Sequence, residues 1–183
     1  MEFFDVCDEW GEPTGEIVER GAAHRDGIRH RTAHVWILRE REGRTQVLLQ
    51  KRSRNKDSFP GLYDTSSAGH IPAGSEPLPS ALRELREELG ICAAPEQLRF
   101  VGIIRNVYEK TFHGKPFRDN EYCHVYVYTG PVEAASLRLQ AEEIEDAAWF
   151  DLDGVREEIR HSRERFCVPK EGIELSWEYV KRF

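Results

Sequence analysis

The sequence predicts a mixed α/β domain built in layers, of the α+β or α/β/α kind, and three observations point there. β-rich runs arrive in groups, helical periodicities fall between and after them, and the most regular helical run is bracketed by proline and glycine. No compositional break, Pro/Ser-rich linker or repeat divides residues 1–183, so a single domain is expected.

Taken in chain order, the first twenty residues hold two apolar runs, Phe3, Phe4, Val6 and Ile17, Val18, around Glu9-Trp10-Gly11-Glu12-Pro13, which predicts an N-terminal hairpin. Residues 34–38 and 46–50 flank a charged turn through Gly43 and predict a second hairpin of core strands. A glycine-studded stretch follows at 59–74. Leu78, Leu82, Leu85 and Leu89 then recur at helical spacing, with Pro77 and Pro79 in the first turn and Gly90 just past the end, so a helix is expected over 77–89. Strands are expected at 98–104, 122–128 and 147–150, with 108–118 as a loop. Val155 and Ile159, and then Ile173, Trp177 and Val180, carry the spacing of two late helices.

The composition excludes several classes of function. Mean hydropathy is −0.62, and the apolar stretches fall far short of the ~18 residues that span a bilayer, so no membrane partner is expected. Twenty-six Lys and Arg against thirty-three Asp and Glu give a formal charge of −7, which argues against binding a nucleic acid polymer. Cys7, Cys92, Cys123 and Cys167 form no CxxC pair, and the acidic start MEFFDVCDEW lacks the basic and apolar regions of a secretory signal. A cytoplasmic location is expected.

The helix at 77–89 carries the chemistry. A rotation of about 100° per residue puts Glu84, Glu87 and Glu88 within one face, roughly opposite Leu82, Leu85 and Leu89. Such crowding of like charges costs an exposed helix a few tenths of a kcal/mol per pair, and a divalent cation turns the repulsion into attraction. Hard oxygen ligands point to Mg²⁺ or Mn²⁺. The whole run GHIPAGSEPLPSALRELREELGI, residues 69–91, resembles the signature of the Nudix hydrolases: G, five residues, E, seven residues, then R-E-apolar-x-E-E-x-G-apolar. Gly69, Arg83, Glu84, Leu85, Glu87, Glu88, Gly90 and Ile91 match in register, with Gly69, Arg83 and Gly90 as structural members. One position departs: the first signature glutamate, which the resemblance implies supports the loop and helix through a contact with the signature arginine, here Arg83, falls on Ser75, and Glu76, one residue on, is the nearest substitute.

This resemblance implies an α/β/α sandwich around a mixed central sheet, a loop-helix-loop that binds divalent metal, and metal-dependent hydrolysis of a phosphoanhydride bond. The expected substrate is a nucleoside diphosphate derivative or a nucleoside di- or triphosphate. Glu84, Glu87 and Glu88 are then the catalytic metal ligands. Lys51 and Arg52, at a strand end in the basic run KRSRNK, are the expected phosphate contacts.

Further residues resemble the type 1 isopentenyl-diphosphate isomerases, which share the Nudix fold. His24, His30, His70, Asp119 and Glu121 correspond to the three histidines and two acids that hold a metal ion there, with Asp119 a shorter acid than its counterpart. Period two also places Asp119 and Glu121 on the strand face of Cys123, Val125 and Val127. The plainer alternative makes His24 and His30 surface histidines and puts Asp119 in a loop. Where the isomerases carry a cysteine needed for protonation, this chain has Ala68, which argues against isomerase activity. Two alternatives to hydrolysis therefore stand: isopentenyl-diphosphate isomerisation, and a nucleotide-binding module without chemistry. Oligomeric state is open, a homodimer included.

Overall fold

The structure is a computed structural model that describes residues 1–56, 58–162 and 164–182. Its centre is β3 (His30–Arg41), whose alternate side chains are buried on both faces, as expected of a strand sandwiched between helical layers. Ala33, Val35 and Ile37 face one layer, and Trp36 and Leu38 face the other.

The N-terminal hairpin, β1 (Phe3–Cys7) and β2 (Pro13–Glu19), forms a small sheet of its own. A short helix, α1 (Arg20–Asp26), leads from it into β3. One edge of β3 is shared by two antiparallel partners: its first half pairs with β6 (Ser67–His70) and its second with β4 (Arg44–Arg52). Its other edge pairs in parallel with β8 (Lys115–Tyr128), which forms a long antiparallel ribbon with β7 (Leu98–Phe112). β4 also pairs with β5 (Tyr63–Asp64) and β9 (Ile144–Asp151). Helix α2 (Pro77–Leu89) covers one face with Ala81, Leu85 and Leu89; α3 (Leu152–His161) and α4 (Lys170–Lys181) cover the other with Val155, Ile159 and Ile173. The architecture is the α/β/α layering around a mixed sheet that the sequence implied. Among the described residues no helix is long and apolar enough to cross a membrane.

Three segments differ from expectation. The glycine-studded stretch contains β5 and β6, too short to show a period. The loop expected at 108–118 is instead ladder, in register up to Phe112 opposite Lys115, with a tight turn at His113 and Gly114, both at positive φ. Its exposed, charged residues hid a strand pattern that depends on one partner strand rather than on a core. Helix α1 has seven residues and no apolar periodicity, but its ends are marked: Glu19 accepts from Ala22 N at 3.1 Å, and Gly27 closes it at φ 69°.

Leu85 is fully buried at the centre of the α2 interface. Leu85→Ala is expected to cost roughly 2–5 kcal/mol of unfolding free energy, read by chemical denaturation.

Candidate active site

Docking the apolar stripe of α2 on the sheet turns Glu84, Glu87 and Glu88 toward β6 and an adjoining cleft of about 540 Å³. The three carboxylates differ in environment. Glu88 is buried, and one of its oxygens accepts from Ser67 Oγ at 2.7 Å and Ala68 N at 3.1 Å. Burial pushes its carboxyl up to about 8, against those two bonds, which favour the charged form. Glu84 lies against the backbone of β6 at Gly69, where a Cβ would stand 2.2 Å from its Cδ, so a larger residue there would displace the carboxylate. Burial lifts Glu84 to about 7, opposed by Arg83, whose guanidinium is 2.6 Å away. Glu87 is exposed, 3.5 Å from the same guanidinium. Arg83 also donates to His70 O at 3.2 Å, tying α2 to the end of β6. Gly90 ends the helix at φ 72°. Glu76 makes no side-chain bond at the helix start, and among the described residues no ion pair joins it to Arg83, so it does not stand in for the acid missing at Ser75.

A second cluster gathers at the other end of β6. His30 is the register partner of Glu121 across β3 and β8, α1 delivers His24, and β6 delivers His70. His24 Nδ1 lies 3.0 Å from Arg20 O, and His30 Nδ1 lies 2.8 Å from Ile28 O. A carbonyl only accepts, so each Nδ1 carries the proton and each Nε2 turns a lone pair inward. His24 Nε2 is 3.3 Å from His70 Nε2, and Glu121 Oε1 is 3.7 Å from both His30 Nε2 and His70 Nε2. Asp119 Oδ1 is 3.8 and 3.9 Å from His24 and His30 Nε2. Burial brings His24 down to about 4 and depresses His70 strongly, so both rings are neutral near pH 7. Burial and the neighbouring Glu121 charge raise Asp119.

His30 Nε2 is buried without a hydrogen-bond partner, and His24, His30, His70 and Glu121 each offer one ligand atom within 4.8 Å of the others. This donor set fits a divalent metal. The surface-histidine alternative fails on burial, since His24 and His30 are 6% and 0% exposed and Asp119 lies in β8.

Glu84, Glu87, Glu88, His24, His70, Asp119 and Glu121 all line the one cleft, with Ala68, Gly69 and His70 of β6 running between the two clusters. Phe59, Tyr108 and Phe117 form an aromatic wall, and Phe117 stacks on His24 at 4.5 Å. Arg52 lies in the cleft wall, its guanidinium held by Asp64 at 2.8 Å and Ser58 O at 2.9 Å. Lys51 is not among the cleft residues; its ammonium sits 3.7 Å from Glu145. Lys56 does line the cleft, paired with Glu143. Ala68 pairs with His34 across β3 and β6, and neither nearby serine replaces the missing thiol: Ser66 is bonded to Leu48 O and Ile37 N, Ser67 to Glu88. Sequence reasoning missed Phe4, fully buried and stacked on His30 and His70 at 4.9 and 4.4 Å, and Asn106, 3.4 Å from both Asp119 and Glu121. Only the TSSAGH run beside Gly69 signalled Ser67.

A layered α/β/α fold with a glutamate-bearing helix over a cleft defines a Nudix-type enzyme. The NUDIX domain profile matches residues 28–168, and the chain belongs to the Nudix family. It is 35% identical over 176 residues to an uncharacterized Nudix hydrolase of Clostridium acetobutylicum, covering 93% of this chain and 82% of that one. It is 43% identical to Nudix hydrolase 3 of Arabidopsis thaliana over its whole length, which spans 23% of that larger protein. The isopentenyl-diphosphate Delta-isomerase of Rhodobacter capsulatus is 31% identical over 88% of this chain and 86% of its own. Among solved structures, a Deinococcus radiodurans protein superposes with a TM-score of 0.68 at 16% identity, covering 99% and 98% of the two chains. The Nudix domain of Shewanella oneidensis NrtR, complexed with ADP-ribose, does so at 0.55 and 15%, covering 83% and 86%.

The two raised glutamates set a pH dependence. Their unfolded carboxyls ionise near the ordinary 4.5, while in the fold they hold protons to about 7 and 8, so stability drains away as pH rises through that interval. His24 acts oppositely, but only between about 4 and 6.5. With chelator present, the melting temperature is expected to fall from pH 6.5 to pH 8, and added Mn²⁺ to reverse the fall.

Proposed function

We propose that the chain hydrolyses a phosphoanhydride bond in a nucleoside diphosphate derivative or a nucleoside di- or triphosphate, with Mg²⁺ or Mn²⁺ held by Glu84, Glu87 and Glu88. The observation that carries this reading is Glu88: burial at the cleft, with neutral donors alone bonded to it, keeps its carboxyl neutral to about 8, and a cation beside it is what would stabilise the charged ligand form. A cation there supplies neutralisation of the phosphoanhydride oxygens and a favoured position for water. Gly69 keeps Glu84 close to β6, and Arg83 sets the angle of the helix through His70 O. Arg52, already fixed by Asp64 and Ser58, meets phosphate without losing freedom on binding, and Lys56 lies nearby. The faces of Phe59 and Tyr108 suit the organic part of the substrate. The ADP-ribose held by the Shewanella Nudix domain supports a phosphorylated ligand of this class.

His24, His30, His70 and Glu121, with Asp119 beside them, would hold a second ion; the partnerless His30 Nε2 favours this. Residues 1–183 act as one domain in this reading, because Phe4 and His24, which precede the matched region, complete the histidine cluster. The four free cysteines suit a reducing cytoplasm.

Glu88→Gln preserves shape and the buried neutral state, so it is expected to stay folded while losing turnover by orders of magnitude. Phosphate release from nucleoside phosphates, nucleotide sugars and dinucleotides with Mg²⁺ or Mn²⁺ measures it, and unchanged turnover refutes the role. With Ala68 where the isomerases carry their cysteine, isopentenyl diphosphate is expected to give no allylic isomer; its conversion at an appreciable rate would favour the isomerase alternative, and tight ligand binding without phosphate release the non-catalytic one.

A further inference from the structure

The loop joining β6 to α2 links the histidine cluster to the glutamate helix, and little within it holds it in place. Pro72 O accepts from Ser75 N at 2.9 Å, Gly74 turns at φ 73°, and the helix begins at Glu76 without a side-chain cap. Its fastenings come from the N-terminal strand. Phe3 O accepts from Ala73 N at 2.8 Å, and the Asp5 carboxylate accepts from Gly74 N at 3.0 and 3.2 Å. Arg31 Nη2 bridges Asp5 Oδ2 at 2.9 Å and Ser75 O at 3.1 Å. Both side chains of this pair are largely out of water, where a charge-assisted bond is strongest.

We propose that Asp5, lying before the region the NUDIX profile matches, is a positioning residue for the glutamate helix, its carboxylate held by Arg31 against Gly74 N, one residue before Ser75, whose carbonyl Arg31 also binds. Strand geometry makes this one of two tasks for β1. Neighbouring residues point to opposite sides, so Phe4 faces the histidines while Asp5 faces the loop. The loop thus gains from a distant strand a carboxylate that Ser75 does not provide, bonded to Gly74 N and paired with Arg31 rather than with Arg83. The inference rests on reading Glu84, Glu87 and Glu88 as metal ligands.

The test uses the full chain. Mn²⁺ binding is followed by electron paramagnetic resonance, with the glutamate site defined as the one lost in Glu88→Gln, and amide exchange is followed across residues 73–76. Asp5→Ala is expected to weaken that site about tenfold and to speed exchange in the loop. Ser75→Glu in the same chain is expected to restore part of both, a recovery that general stabilisation would not give. Asp5→Asn, close in shape, replaces the alanine variant if the latter unfolds. A folded Asp5 variant with unchanged Mn²⁺ affinity, or one whose loss Ser75→Glu leaves untouched, overturns the proposal. If the wild type shows no site sensitive to Glu88→Gln, the metal reading itself fails, and loop exchange alone then decides whether Asp5 braces the segment.

Discussion

Everything in the cleft depends on carboxylates being held where water is scarce. Glu88 and Glu84 are lodged between α2 and β6 because Leu85 and Leu89 bury the other side of the helix, and because Gly69 presents no side chain to push them out. The apolar interface supplies the stabilisation and the glutamates draw on it, which is why burial drives both toward their protonated forms. Such a site is more comfortable neutral, and on the proposed reading a divalent ion is the partner that makes the charged form comfortable.

The same logic operates in the histidine cluster by a different device. There burial keeps His24 and His70 neutral, and the backbone carbonyls of Arg20 and Ile28 place a proton on Nδ1 of His24 and His30. Phe4 stacks on His30 and His70 and restricts their planes, so inward lone pairs are a consequence of packing as well as of hydrogen bonding. The two clusters share β6, where Ala68 N donates to Glu88 and His70 Nε2 lies 3.3 Å from His24 Nε2.

Much of this was legible in the sequence because it has a period. The leucine spacing placed α2 at its observed ends, and the glutamate face followed by rotation alone. What stayed hidden has no period. β6 is four residues, three of them small (Ser67, Ala68 and Gly69) and suited to close approach rather than to packing, and it read as loop. The β7–β8 ribbon is exposed at its tip, so its charged residues alternate without an apolar core to mark them. Lys51 and Arg52 looked equivalent as neighbours, yet opposite strand faces send only Arg52 to the cleft. Phe4 and Asp5 act across long stretches of chain, on contacts that no local pattern encodes.

The position of Ala68 bears on which chemistry the cleft supports. On the proposed reading the requirements for holding a diphosphate are intact: acidic ligands on α2, Arg52 in the wall, and a backbone N–H at Ala68 engaged with Glu88. Moving a double bond demands in addition a proton donor and acceptor on opposed sides of the carbon skeleton. At residue 68 the side chain is a methyl group, its serine neighbours are already bonded elsewhere, and Cys123 and Cys167 both have thiols that burial pushes well up. On the proposed reading a hydrolase has no need of such an acid, because its nucleophile is water and its leaving group is an anionic phosphate, so Ala68 argues against isomerisation without touching the groups assigned to the phosphoanhydride reaction.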